Sequence, residues 1–398
     1  MLPYGKHLID DEDVAAVIDV LRGDWLTTGP KVRAFEEALA RRVGARYAVS
    51  CSSGTAALHL SALALRLDSE ASVVVPAVTF LATANAARYV GAEVVFADVE
   101  PETGLMSLFG LEQALQHASR SSVRAIMPVH LNGQCLSTED VRRVADGYGA
   151  RVIEDACHAL GTTYRATTGE VAAIGSCHDS DLAVFSFHPV KAIAMGEGGA
   201  VTTNDEGLYR RLLTLRNHGI TRETAEFENG DLAFDVHGNP NPWYYEMAEP
   251  GYNYRASDIN CALGLSQLAK LDRYLEKRRH LTGYYDALLK PLAPAVRPIA
   301  RMPNCNPAWH LYVVLIDFDA IGISRGELMR RLSSHGIGTQ VHYLPLHLQP
   351  YYRRRYGRIE LPGAETYYRR ALSLPLFPGM EAADVDYVVD TLRSLMGA

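Results

Sequence analysis

Lysine is scarce in this chain. Of 39 basic residues among 398, only six are lysine (Lys6, Lys31, Lys191, Lys270, Lys277 and Lys290), so arginine serves wherever a plain cation suffices. Lys191 stands alone between Lys31 and Lys270. Arginine stays protonated at any working pH, whereas a desolvated lysine can lose its proton and attack a carbonyl. Long apolar runs are missing too. None approaches the ~18 residues that a membrane span needs, and the opening Met1-Leu2-Pro3-Tyr4-Gly5-Lys6 lacks a basic-then-apolar leader, so no membrane association is expected. There is no basic surplus: the net charge of -7 argues against a nucleic-acid partner. The six cysteines (Cys51, Cys135, Cys157, Cys177, Cys261 and Cys305) never fall at the short spacing of a zinc or redox motif, and most read as small buried residues in a reducing cytoplasm; Cys51 and Cys157, beside the motifs below, read alternatively as lining a site.

What is present is ordinary globular material, 48% hydrophobic and 21% charged, long enough for one large domain and a smaller one. Apolar runs at residues 47–50, 72–76, 93–98, 125–129, 151–155 and 181–185 predict strands, and amphipathic stretches between them predict helices. Near-continuous apolar strands alternating with helices imply an α/β fold with a mainly parallel sheet covered on both faces. Ligands of such sheets bind at the carboxyl ends of the strands. A proline-rich tract between Pro291 and Pro307 marks the expected boundary, giving a large α/β domain over 1–290 and a small α+β domain over 291–398. In the latter, residues 310–316 and 338–343 read as strands, and 325–335, 365–372 and 383–396 as helices.

Four chemical signals fall at strand ends or loops of the large domain. Ser53-Gly54-Thr55 joins a strand to a helix start, where unpaired N–H groups and the helix dipole suit a phosphate; alternatively Ser53 or Thr55 only caps the helix. Phe80 offers an aromatic face after a strand. Asp155 ends a strand, where an acid can hold a metal, orient a base, pair with a cationic ring nitrogen or simply cap a helix; His158 is near, but no further His, Asp or Glu cluster completes a metal site. Lys191 sits in a loop that Pro189 and Gly196, Gly198 and Gly199 keep from being helical. Pyridoxal phosphate (PLP) needs this set: an aldehyde for a lysine, a pyridine nitrogen kept protonated by a carboxylate, a phosphate and a flat ring face. Trp25, in the loop Gly23-Asp24-Trp25-Leu26-Thr27-Thr28-Gly29-Pro30, reads either as a substrate wall or as a lid on the core. The long polar stretch 217–250 reads as a functional cover or a subunit contact, and otherwise as a mobile excursion.

Those motifs, with Phe185-Ser186-Phe187-His188-Pro189-Val190-Lys191, Gly196-Glu197-Gly198-Gly199-Ala200, Gly251-Tyr252-Asn253-Tyr254-Arg255 and Val341-His342-Tyr343-Leu344-Pro345, resemble the DegT-type sugar-nucleotide aminotransferases over nearly the whole chain. That family is a branch of the fold-type I PLP enzymes. The resemblance implies that Lys191 is the Schiff-base lysine and the acid/base at the sugar carbon, that Asp155 pairs with the ring nitrogen, and that Phe80 stacks on the ring. It implies that Ser53, Gly54, Thr55 and Ser186 hold the phosphate, with Asn253 reaching it from the other subunit of an obligate homodimer. His158 is expected near the ring hydroxyl, and Trp25, Thr27, His310 and His342 against the sugar nucleotide. Within the family, His188-Pro189-Val190 and His342-Tyr343 are similar to the branch on the pseudaminic acid pathway. That branch moves the amino group of L-glutamate to C4 of a UDP-linked 4-keto-6-deoxy-N-acetylhexosamine, with pyridoxamine phosphate (PMP) as the intermediate form. Related dehydratases carry histidine at the lysine position, which Lys191 argues against. Amination at C3, a dTDP or GDP carrier, or a non-catalytic protein on the same fold are the alternatives.

Overall fold

A computed structural model describes residues 1–118 and 122–396. Its centre is a seven-stranded sheet built from β1 (Tyr47–Cys51), β2 (Ser72–Pro76), β3 (Glu93–Ala97), β4 (Val123–Ile126), β5 (Arg151–Asp155), β8 (Leu182–Ser186) and β9 (Gly199–Thr203), with the short hairpin β6 (Thr163–Arg165) and β7 (Val171–Ala173) outside it. The order is β1-β9-β8-β5-β4-β2-β3. Only β9 runs against the rest, since it pairs antiparallel with both β1 and β8 while every other pairing is parallel. This is the α/β fold-type I architecture expected of the sequence.

Side chains alternate across the sheet, so each face has its own core. Val73, Val75, Ile153 and Val184 meet Leu58, Leu60, Ala84 and Leu212 on one face, from the helices Gly54–Ala64, Leu81–Tyr89 and Glu206–Arg216. Val74, Ile126 and Val152 meet Leu111, Leu115 and Val141 on the other, from Leu108–His117 and Thr138–Tyr148. Ser53, Ser107, Ser137, Ser257 and Ser324 each open a helix, the side chain accepting from the amide N–H three residues on. Each such cap stabilises its helix by about 1 kcal/mol.

The long polar stretch holds a two-residue hairpin, β10 (Ile220–Thr221) with β11 (Glu246–Met247). Beyond it β12 (Val296–Pro298), β14 (Tyr312–Ile316) and β15 (Ala371–Leu374) form a small antiparallel sheet, while β13 (Cys305–Asn306) pairs with β6. Leu281, Tyr285 and Leu289 of the helix Leu271–Leu289 share its core with Val314, Leu328, Leu372 and Val388. The N-terminus is sewn to the same unit: Leu2 pairs with Ile337, and the Leu376 N–H donates to the Tyr4 carbonyl at 3.0 Å.

Two expectations fail here. Residues 338–343 are not a strand: Gln340 alone exchanges hydrogen bonds with Ser373, and the chain then turns so that His342 and Tyr343 reach the central cavity. The helix expected over 365–372 spans Pro362–Arg370, and Leu372 lies in β15, because Ala371 to Leu374 supply the buried edge that β14 needs.

Candidate active site

The carboxyl ends of the parallel strands surround one cavity of about 610 Å³. The turn after β1 contributes Ser53, Gly54 and Thr55; the turn after β2, Thr79 and Phe80; the end of β5, Asp155 with Cys157 and His158 just beyond it; and β8 and its loop, Ser186, His188 and Lys191. The far wall is Tyr4 with residues 340–344.

The phosphate-type turn is shaped by close approach. Ser53 Oγ accepts from the Ala56 N–H at 3.1 Å and Ser53 O from the Ala57 N–H at 3.0 Å, which leaves the Gly54 and Thr55 N–H groups without a protein partner among the described residues. Ser53 therefore does cap the helix as an acceptor, and its hydroxyl hydrogen is left to donate to an anion at the turn. A Cβ on Gly199 would lie 2.2 Å from the Ser53 carbonyl oxygen, and one on Gly54 would lie 2.8 Å from Ser186 Cβ, so only glycine fits at either place. An anion at this helix start meets two free N–H groups, the positive dipole end and the neighbouring Ser186.

Asp155 is buried, and its carboxylate accepts from Thr83 Oγ1 at 2.7 Å and from the Cys157 N–H at 3.2 Å; Thr79 Oγ1 lies 2.8 Å from Thr83 Oγ1. No cation hydrogen-bonds to it among the described residues, so a buried carboxyl group faces the cavity in position to pair with a protonated ring nitrogen. Burial lowers the Lys191 amine from its ordinary value, while Cys157 and Asp155 push the other way. A lysine so placed is closer to its nucleophilic neutral form than a surface lysine. Burial also pushes the Cys157 thiol up. These donors, the unpaired carboxylate and the glycine-cleared turn fit the phosphate, ring nitrogen and aldehyde of PLP.

Three histidines gather behind Asp155. The His158 and His310 rings lie 4.3 Å apart, tilted at 51° to each other, and His342 Nδ1 lies 2.7 Å from Ser373 Oγ. Burial drives His158 and His310 well below the usual imidazole range and His342 down to about 3, so all three are neutral. His342 lines the cavity, whereas His310 sits behind His158 and does not. Phe80, at the mouth, is 56% exposed and 6.0 Å from the Tyr343 ring.

Trp25, Thr27 and Asn253 lie outside the cavity wall of the single chain. Trp25 is 57% exposed, and its loop is tied to the helix start at Asp258, whose carboxylate accepts from the Gly29 and Lys31 N–H groups at 2.7 and 2.8 Å. Asn253 is exposed beside the β1 turn, next to Tyr254, whose carbonyl accepts from the Ser52 N–H at 2.8 Å. Thr79, Thr83, Tyr4 and Gln340 were not singled out by the sequence, and Tyr343 was noticed only within a motif. Thr83 and Tyr343 act through contacts far apart in the chain, which local patterns do not carry.

Residues 7–393 match the DegT/DnrJ/EryC1/StrS aminotransferase family. The spore coat polysaccharide biosynthesis protein SpsC of Bacillus subtilis is 36% identical over 99% of this chain and 97% of its own length. Among solved structures, Helicobacter pylori PseC, an aminotransferase involved in the biosynthesis of pseudoaminic acid, superposes with a TM-score of 0.87 at 28% identity, covering 100% of this chain and 99% of PseC. Spr1654 of Streptococcus pneumoniae in its PLP form gives 0.85 at 26% identity, over 99% of this chain and 98% of that one.

Proposed function

Because the chain belongs to the DegT/DnrJ/EryC1/StrS aminotransferase family, whose members use PLP, we propose that it moves the amino group of L-glutamate to the C4 keto group of a UDP-linked 4-keto-6-deoxy-N-acetylhexosamine. The observation that carries the chemistry is the convergence of Lys191, Asp155 and the free N–H groups of Gly54 and Thr55 on one cavity from three different strand ends. The choice of sugar rests on the likeness to PseC over the full length of both chains.

When bound, PLP supplies an aldehyde that carries nitrogen between the two substrates and a ring that withdraws electrons from the reacting carbon. Asp155 holds the ring nitrogen protonated, and Thr83 keeps that carboxylate aimed. The Gly54 and Thr55 N–H groups and Ser186 Oγ bind the phosphate, and Asn253 of the partner subunit completes that shell in a homodimer. Phe80 covers one ring face. Lys191 would anchor the cofactor's aldehyde carbon, and its amine, lying in the same cavity, would take up the proton lost at the donor's carbon and return one at the sugar C4. His342 in the wall, together with Trp25 and Thr27, bounds the sugar nucleotide, with His310 packed behind.

A glutamate-dependent assay over 4-keto and 3-keto sugars on UDP, dTDP and GDP carriers tests this. Turnover of the UDP-linked 4-keto-6-deoxy-N-acetylhexosamine at least about tenfold above the others is expected, each factor of ten being ~1.4 kcal/mol of discrimination. Preference for a 3-keto sugar or another carrier overturns the assignment.

A further inference from the structure

Two cysteines that lie 170 residues apart in the chain meet outside the cavity wall. Cys135 ends the loop 131–135, and Cys305 opens β13, inside the proline-rich tract 291–307. The Cys135 N–H donates to Cys305 Sγ at 3.4 Å, and the two thiols also hydrogen-bond to each other. Cys51, Cys157 and Cys177, by contrast, direct their thiols at the carbonyls of Ser53, Val184 and Thr202.

The meeting is held from both sides. Gln134 Nε2 donates to the Ala300 carbonyl at 3.0 Å, and Gln134 Oε1 accepts from the Met302 N–H at 2.9 Å. Further on, Cys305 and Asn306 pair with Tyr164 and Thr163 of β6, and a Cβ on Gly133 would lie 3.0 Å from the Ala308 backbone. The loop and residues 300–308 are therefore in register before any bond forms. β13 is a two-residue edge strand, which leaves Cys305 free to close the remaining gap to the about 2.0 Å of a disulfide.

The two sulfurs differ in character. Cys135 is buried (3% exposed), whereas Cys305 is partly open to solvent. Hydrogen bonds from the Cys135 thiol and amide hold the Cys305 thiol below its ordinary value against the opposing effect of burial, and the same contact pushes Cys135 up. The more acidic and more open sulfur is the one an oxidant meets first.

We propose that Cys135 and Cys305 form a reversible oxidation site, at which a hydroperoxide converts the pair to a disulfide that joins loop 131–135 to the tract 291–307. The Cys305 thiolate attacks one peroxide oxygen, the O–O bond breaks, and the departing hydroxide becomes water with the proton that the thiol released. The Cys135 sulfur then attacks the Cys305 sulfenic sulfur, the S–O bond breaks, and the second hydroxide takes the Cys135 proton. Two thiols thus lose two electrons to one hydrogen peroxide, giving one disulfide and two waters, and a dithiol reverses the change. The bond closes a loop across 170 residues, which restricts the unfolded chain and so stabilises the folded one.

The experiment treats purified holoenzyme with hydrogen peroxide, alkylates and digests it without reductant for mass spectrometry, and records thermal melts in parallel. A peptide pair joined through Cys135 and Cys305 is expected, in a protein that migrates as a single chain on a non-reducing denaturing gel. Its melting midpoint is expected to rise by about 5 °C and to return with dithiothreitol. Cys305→Ser is expected to show neither change, and Cys135→Ser to leave Cys305 as a sulfenic acid that dimedone traps. Cys305 still open to alkylation after peroxide, or consumed with no link to Cys135, overturns the proposal, as does an equal rise in midpoint in Cys305→Ser.

Discussion

Thr83 Oγ1 donates to Asp155 Oδ2 at 2.7 Å, so the carboxylate that ends β5 is held by a hydroxyl and a backbone amide and not by a cation. Its charge remains available to whatever enters the cavity, and its direction is fixed by a helix packed on the sheet. Thr83→Val keeps the shape and removes the donor. It is expected to weaken PLP binding about tenfold, the value of one hydrogen bond to a charged group, with Thr83→Ser close to wild type. Fluorescence titration of the apoenzyme with PLP measures both; equal affinity in Thr83→Val contradicts the role.

Gly199 gives a second test, because a methyl group there meets the Ser53 carbonyl oxygen at 2.2 Å and the turn must move. Gly199→Ala is expected to destabilise the protein by about 1–3 kcal/mol, as overpacking does. Since the displaced turn is the proposed phosphate cradle, PLP affinity should fall with it. Denaturant unfolding of the apoenzyme and PLP titration read the two effects independently, and an unchanged unfolding midpoint refutes the close contact.

Much of this site could be read from the sequence because its members sit where apolar runs break off. Asp155, Ser186 and the Ser53 turn each end a strand, and Lys191 follows one in a chain that otherwise avoids lysine. Less legible were residues whose partners are distant: Thr83 lies mid-helix among alanines and is informative only once Asp155 is seen beside it. The alternation in residues 338–343 suggested a strand because it cannot distinguish ladder pairing from a turn that aims His342 and Tyr343 into a cavity. The β15 edge was hidden by the helix running directly into it.

The buried histidines predict a pH limit. His158, His310 and His342 all bind protons less readily when folded than the ordinary value near 6.5, His342 only at about 3. As pH falls below about 6.5, the unfolded chain takes up protons that the folded one refuses, so stability declines by up to ~1.4 kcal/mol per histidine per pH unit. Thermal melts between pH 7 and 5 should show this decline, and His310→Phe should make it shallower. A flat profile over that window refutes the neutral cluster.

Asn253 is exposed and outside the cavity of its own chain, which the proposed homodimer explains. Asn253→Ala and Lys191→Ala proteins should each be impaired alone. Mixed and allowed to exchange, they should regain about a quarter of wild-type sites, since half the dimers are mixed and each carries one intact site. No recovery, with exchange verified by mass, places Asn253 elsewhere.

The proposed role of the Lys191 amine as the covalent anchor for PLP is read by borohydride reduction of the purified holoenzyme, followed by peptide mapping with mass spectrometry. Expected is a phosphopyridoxyl group on Lys191 and none on that peptide in Lys191→Ala; a label on another lysine, or no label at all in the yellow wild-type protein, rules that role out.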